Sequence, residues 1–280
     1  MSDLVFANYG YCHCCDQAVK FTADDSWFRD HYICMECGSI PRERALSWSI
    51  DKFFPDWRKA TIHESSPVPR GASEKLKQHC NNYIASQYFP GVEVGTEHQG
   101  WRCENLEALS FADSSIDLHV SQDVMEHVFY PELVFHEIAR TLKPGGMHIF
   151  TVPLVNKSSA SEIAAELREN GEVKHLLEPE YHGNPVSEQG SLVTRRWGYD
   201  LCDFIFKSSG LFTRIIYLDA LEWGIRAEYI EVLVSLKPLE NIADTMLESG
   251  LKKQNETSVL DPLVWFKAKF NNFINRDERA

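Results

Sequence analysis

The chain predicts an α/β fold, a layered and mostly parallel sheet with an antiparallel edge strand, preceded by a small N-terminal zinc ribbon. Three observations carry this. Strand-like and helix-like segments alternate through the middle of the chain, as crossover helices between parallel strands require. The last two strand-like segments have no helix between them, which suits antiparallel pairing at a sheet edge. Two C-x-x-C pairs, Cys12/Cys15 and Cys34/Cys37, stand near the start.

The cysteine pairs are separated by 18 residues, within the roughly 15–20 expected between the two knuckles of a zinc site. Each knuckle presents two thiolates on one side of a tight turn, and two knuckles complete a tetrahedron. With all four positions filled, the zinc is expected to be structural. The run Cys12-His13-Cys14-Cys15 leaves His13 and Cys14 as alternative ligands in a shifted register. The intervening FTADDSWFRDHYI suits a small ribbon, and the module is assigned to residues 1–40. Cys80, Cys103 and Cys202 are isolated and read as small buried hydrophobes.

A helix follows Pro41, with Leu46, Ile50, Phe53 and Phe54 on one face and Pro55 ending it. Residues 60–63 form a short strand, 72–80 a helix and 83–86 another strand. Ile116–Val120 alternates as a strand, and Pro131–Leu142 is a helix with Leu133, Val134, Ile138 and Leu142 on its apolar face. Lys143-Pro144-Gly145-Gly146 ends it in a turn, and 147–152 is a buried strand. Residues 155–195 interrupt the rhythm. They contain a polar helix over 160–170 and a loop with Tyr181-His182-Gly183-Asn184-Pro185, and they suit a lid over a substrate. A helix over 199–209 stops at Gly210, and 212–218 and 229–236 are the last strands. The main domain is thus 41–237. Residues 238–280 are a linker and an amphipathic helix with Leu263, Phe266, Phe270, Phe273 and Ile274 on one face, a docking surface for this domain or for a second copy in a homodimer.

The composition is that of a globular chain. Of 280 residues, 44% are hydrophobic and 25% charged, enough for a sizeable core. Lys and Arg total 28 against 41 Asp and Glu, a net charge of −13, which disfavours a nucleic-acid substrate. No run approaches the roughly 18 apolar residues of a membrane span. No secretory leader is visible in MSDLVFANYGYC, so a reducing cytoplasm is the expected compartment.

Three stretches, LSFADSSIDL (109–118), QDVMEHV (122–128) and LKPGG (142–146), in this order and spacing resemble the class I, Rossmann-like S-adenosylmethionine-dependent methyltransferases over about residues 60–236. The ribbon followed by CGSIPRER (37–44) is similar to the N-terminus of a bacterial subgroup of these enzymes. The resemblance implies a cofactor site at the carboxyl ends of the strands. It places Glu64 and Ser65 where the family has a glycine-rich loop, with Glu64 facing the cofactor's ammonium group. Ser86 and Gln87 stand where the family has a ribose-binding acid, and Asn105 and Leu106 where it holds adenine. Gln122 closes the fourth strand. Asp123 and His127 are the candidate catalytic residues, the first as a contact to cofactor or acceptor, the second as a base. Arg195 and Arg196 can clamp an anionic acceptor.

The implied function is methyl transfer from S-adenosylmethionine to a small-molecule or carbohydrate-type acceptor. One alternative is an inactive methyltransferase fold serving as a binding module, with the ribbon and C-terminal helix as docking surfaces. Another is a protein or RNA methyltransferase recruited through the ribbon.

Overall fold

The computed structural model describes residues 4–184 and 187–239. The expected C-terminal helix and nearly all of the linker before it lie outside the described residues.

The first module is a three-stranded antiparallel sheet of β1 (Phe6–Cys12), β2 (Gln17–Ala23) and β3 (Tyr32–Cys34), with a single helical turn, α1 (Phe28–His31), before β3. Phe21, Tyr32, Cys12 and Cys34 fill its small core. Helix α2 (Pro41–Phe53) leads out of it. Pro41 takes a first-turn position where a missing N–H costs nothing. Glu43 Oε2 accepts from the Ile40 N–H at 3.2 Å, closing one end of the helix. Arg44, fully buried, fastens the module to the rest of the chain. Its guanidinium donates to the carbonyls of Tyr32 (2.8 Å), Ser39 and Gly224 (2.6 Å) and lies 4.7 Å from the Phe21 ring centroid.

The second module is an eight-stranded sheet in the order β16-β17-β9-β8-β4-β5-β7-β6. Its strands are β4 (Thr61–Ser65), β5 (Asn82–Gln87), β6 (Glu97–His98), β7 (Trp101–Cys103), β8 (Ile116–Gln122), β9 (Leu142–Thr151), β16 (Phe212–Ile216) and β17 (Val232–Leu236). β7, β5, β4, β8 and β9 run parallel, and β17 pairs antiparallel with both β9 and β16. The expected edge pairing of the last two strands is therefore present. Helix α3 (Gly71–His79) joins β4 to β5, α4 (Pro131–Thr141) joins β8 to β9, and α5 (Leu201–Ser209) precedes β16. α2 and α3 cover one face, packing Leu46, Ile50 and Leu76 on Ile62, Val120 and Ile149. α4 and α5 cover the other, packing Phe135, Ile138, Leu201 and Ile205 on Phe150 and Leu233. Gly210 ends α5 with φ +72°, the left-handed conformation that favours glycine there.

Two local expectations differ from the structure. Residues 160–170 form no helix. They give β10 (Glu162–Ile163) and β11 (Ala165–Leu167), the latter paired with β12 (Val173–His175). Asn170-Gly171 is a strong hairpin signal, and Gly171 has φ +81°. The segment continues through the hairpin of β13 (Tyr181–Asn184) and β14 (Ser187–Leu192) to β15 (Arg195–Arg196), which pairs with β10. The LKPGG stretch is no detached turn but the start of β9, because Gly145 N–H donates to Lys237 O and Lys237 N–H to Gly146 O, both at 3.0 Å. His127 lies in the loop before α4, which begins at Pro131 as expected.

Candidate functional site

In an open parallel sheet the ligand crevice lies beyond the carboxyl ends of the strands, where the strand order reverses direction. Here that point is between β4 and β8, because β5 and β7 extend the sheet one way from β4 and β8 and β9 the other. The residues that directly follow these two strands turn sharply. Ser66 has φ +54° and Asp123 φ +51°, conformations costly for non-glycine residues and concentrated at functional sites.

Glu64 and Gln122 meet at this point. Glu64 is fully buried. Its Oε1 accepts from Ser73 Oγ at 2.6 Å and from Gln122 Nε2 at 3.1 Å, and its Oε2 accepts from Tyr83 Oη at 2.7 Å. Burial pushes its carboxyl above the usual range, against three hydrogen bonds that favour the ionised form. Gln122 Nε2 also donates to Ser73 Oγ at 2.9 Å. These two acceptors fix the amide orientation, which leaves Gln122 Oε1 buried with no hydrogen-bond partner. A buried acceptor of this kind calls for a donor. Ser73 and Tyr83 are members of the site that sequence reasoning missed. Ser73 had a readable signal, a hydroxyl in the first turn of the helix after the first parallel strand.

The other expected cofactor residues lie at the ends of neighbouring strands. Ser65 is buried at the end of β4. Ser86 Oγ bonds His63 Nε2 at 2.7 Å, inside the sheet. Gln87 is buried at the end of β5, and its carbonyl accepts from Glu104 N–H at 3.0 Å. Asn105 closes its own turn after β7 with Oδ1 accepting from Glu107 N–H at 3.0 Å, and Leu106 packs into the core. The sheet therefore brings Glu64, Ser65, Ser86, Gln87 and Gln122 to one edge and sets Asn105 and Leu106 on the adjoining loop.

Asp123 and His127 have different partners. Asp123 Oδ2 takes Arg29 Nη2 at 2.7 Å and Arg42 Nε at 3.1 Å, and Oδ1 accepts from Thr151 Oγ1 at 2.9 Å. Burial pushes this carboxyl up, but Arg42, Arg29 and the hydrogen bonds outweigh it and hold the pKa at about 2. A carboxylate held ionised in this way braces and positions; it is a poor proton acceptor near neutrality. His127 Nδ1 bonds the Leu192 carbonyl at 2.9 Å. Beside this loop a cavity of about 660 Å³ is lined by Tyr130, Glu132, Ile163, Leu167, Arg168 and Arg195 among others. It lies under the strands of residues 155–195, not at the β4–β8 crevice. Arg196 pairs with Glu180 at 3.3 Å, whereas the buried Arg195 Nε has no hydrogen-bond partner.

In the ribbon, Cys12, Cys15, Cys34 and Cys37 bring their sulfurs within 4.8 Å of one another. Cys12 and Cys37 are 3.7 Å apart and Cys15 and Cys34 3.9 Å. Four sulfurs around zinc, each bound at about 2.3 Å in a tetrahedron, stand roughly 3.8 Å apart. The residues present thus fit a zinc ion. His13 instead packs its ring between Tyr11 and Trp223, and Cys14 is buried in the module's core; neither joins the group of four.

Residues 72–150 match the family described as Methyltransferase domain. This stretch is a methyltransferase domain. The eight-stranded sheet to which this stretch contributes, with its antiparallel β17, has the Rossmann-like, class I form. A curated malonyl-[acyl-carrier protein] O-methyltransferase of Erwinia pyrifoliae is 32% identical over 132 residues, which are 46% of this chain and 44% of that protein. The chain thus spans less than half the length of this curated relative. Among solved structures, an S-adenosylmethionine-dependent methyltransferase from Mesorhizobium loti is similar at 12% identity and TM-score 0.40, covering 69% of this chain and 100% of that one. The 1,6-didemethyltoxoflavin-N1-methyltransferase of Burkholderia thailandensis, with bound 1,6-didemethyltoxoflavin and S-adenosylhomocysteine, is similar at 10% identity and TM-score 0.42 over 70% of this chain and 78% of that one. Among the described residues, the methyltransferase domain and its attachments contain no helix long and apolar enough to cross a membrane.

Proposed function

We propose that the protein transfers a methyl group from S-adenosylmethionine to a small-molecule or carbohydrate-type acceptor. The observation that carries this reading is the buried pair Glu64 and Gln122 at the β4–β8 switch point, one carboxylate and one unpaired amide oxygen. Together they suit a cationic, hydrogen-bond-donating group such as an amino acid's ammonium. When bound, S-adenosylmethionine supplies a methyl group on a positive sulfur that is its own leaving group. The chain's part is then to hold and orient. Glu64 and Gln122 hold the ammonium end, Ser65, Ser86 and Gln87 line the next strand ends, and Asn105 with the backbone amide of Leu106 faces the base. Asp123 fixes the loop through Arg29 and Arg42.

The strands of residues 155–195, with Arg195 above the neighbouring cavity, serve as the acceptor-side cover. The four ribbon cysteines hold a structural zinc, which supports placing the protein in a reducing cytoplasm. Calorimetry with S-adenosylmethionine tests the reading. Binding at micromolar to submillimolar concentration is expected, and no heat at millimolar cofactor would leave the inactive binding module as the surviving description.

A further inference from the structure

A second group of metal-ligand type lies outside the ribbon. Glu126, His127 and His182 each offer one ligand atom, all within 4.8 Å of one another. Glu126 sits in the loop after β8 and is 1% exposed. Neither of its carboxylate oxygens has a hydrogen-bond partner. A buried carboxylate with no hydrogen bond is costly unless a cation answers it. Arg29 contributes positive field to this region, but its guanidinium hydrogen-bonds Asp123.

The two imidazoles are arranged as metal ligands are. His127 Nδ1 bonds a carbonyl, Leu192 O at 2.9 Å, so it carries the proton. The lone pair of Nε2 then faces Glu126 Oε1 at 3.7 Å. His182 Nε2 stands 3.2 Å from Glu180 Oε1, so it donates there, and its Nδ1 faces the same Glu126 oxygen at 3.8 Å. Arg196 in turn holds Glu180. A carbonyl or carboxylate on the far nitrogen is the outer-shell pattern that orients metal-bound histidine. With both imidazoles in these neutral tautomers, three acceptors converge. Ligands bound at about 2.1 Å stand roughly 3.0–3.4 Å apart in octahedral or tetrahedral geometry, so a small inward shift seats an ion.

The backbone of the site is fixed. Glu126 O accepts from Thr194 N–H at 2.8 Å and Arg195 N–H at 3.2 Å, and Trp197 Nε1 donates to Met125 O at 3.0 Å. These bonds tie the loop after β8 to β15 and the residues that flank it, which follow the β13–β14 hairpin carrying His182.

We propose that Glu126, His127 and His182 form a site for one divalent first-row transition-metal ion, separate from the cysteine cluster, with open positions for an oxygen of the acceptor. Two nitrogens and one carboxylate are a common donor set for such ions, and three protein ligands leave coordination positions free. The ion binding is independent of the methyl-transfer reading. Only its role toward the acceptor rests on that reading.

The probe is Mn²⁺, which avoids thiolate sites, titrated into the zinc-loaded full chain and followed by calorimetry and by loss of the free-ion EPR signal. The expected result is one Mn²⁺ per chain, no binding by Glu126→Gln, and binding weakened about 10- to 100-fold by His182→Asn. His182 is on a partly exposed strand, so this variant keeps the proposal testable if Glu126→Gln folds poorly. No saturable Mn²⁺ binding at millimolar concentration, or unchanged binding in folded His182→Asn, overturns the site. Titration of S-adenosylmethionine into the same samples separates the two ideas. Cofactor binding without Mn²⁺ removes the ion site alone, and Mn²⁺ binding without cofactor removes the methyl-transfer reading alone.

Discussion

Arg29 Nη2 donates to Asp123 Oδ2 across 2.7 Å, joining the single-turn helix of the ribbon to the loop that ends β8. Both side chains are largely buried, at 12% and 15% exposure, and Arg42 adds a second guanidinium to the same oxygen. The ribbon thus reaches directly to the carboxyl end of β8.

Removing one partner leaves buried charge without an answer. Asp123→Ala is expected to lower stability by about 3 kcal/mol, read as a fall in urea midpoint. The carboxyl's pKa is about 2 in the fold, below its ordinary value near 3.9. Its contribution is therefore full above about pH 4 and is lost as pH falls toward 2. A variant with unchanged stability but no methyl transfer would instead make Asp123 a catalytic residue.

A second acid-sensitive element lies inside the sheet. His63, His119 and His148 sit side by side in register on β4, β8 and β9, all buried. Burial lowers all three, with Arg102 adding to the effect on His63 and neighbouring histidines on the other two. His63 and His148 fall to about 3. Above the unfolded value near 6.5 neither state takes up protons at these sites. Below it only the unfolded chain does, so stability falls as pH drops from about 6.5 toward 3, by about 1.4 kcal/mol per pH unit for each histidine. Denaturant melts between pH 7 and 5 check this. His148→Phe, which keeps the stack on Phe150, is expected to reduce the slope by about one proton.

The cysteine cluster predicts a metal content. Purified protein is expected to carry about one zinc per chain at this site, and Cys12→Ser/Cys37→Ser to lose it. Because Arg29 lies between Cys15 and Cys34 in the chain, loss of zinc should also loosen the contact to Asp123. Elemental analysis with a thermal melt after chelation measures both. A metal-free wild type that melts unchanged by chelator contradicts the assignment.

Glu64→Gln preserves shape while removing charge. If Glu64 holds the cofactor's ammonium, affinity for S-adenosylmethionine should fall about 10- to 100-fold, the range of a hydrogen bond to a charged group. The Ser73, Tyr83 and Gln122 contacts make this variant's folding worth checking by circular dichroism beside the titration. Unchanged affinity would move the ammonium elsewhere.

Much of the layer pattern was legible. The apolar spacing over 131–142 gave α4 within one residue, and Gly210 marked the end of α5. The β-branched final segments gave the antiparallel edge. The helix expected over 160–170 was not there, because strand partners override propensity even in a stretch rich in the good helix formers Ala, Glu, Leu and Arg. An Asn-Gly turn and the facing strands β12 and β15 supplied those partners.

The sequence by itself determined the cysteine knuckles, the alternation of elements and the strand ends at which Glu64 and Gln122 stand. The knuckles and the alternation follow from local spacing and from periods of two and 3.6 residues, whereas the placing of Glu64 and Gln122 follows from the family resemblance. Only the tertiary structure decided what those residues touch. Asp123 pairs with an arginine 94 residues away, Glu64 gathers Ser73, Tyr83 and Gln122, and Glu126 faces His127 and His182. Such partners are fixed by strand register and by the path of the connecting segments. Side-chain pattern along one element does not encode where another element will cross it.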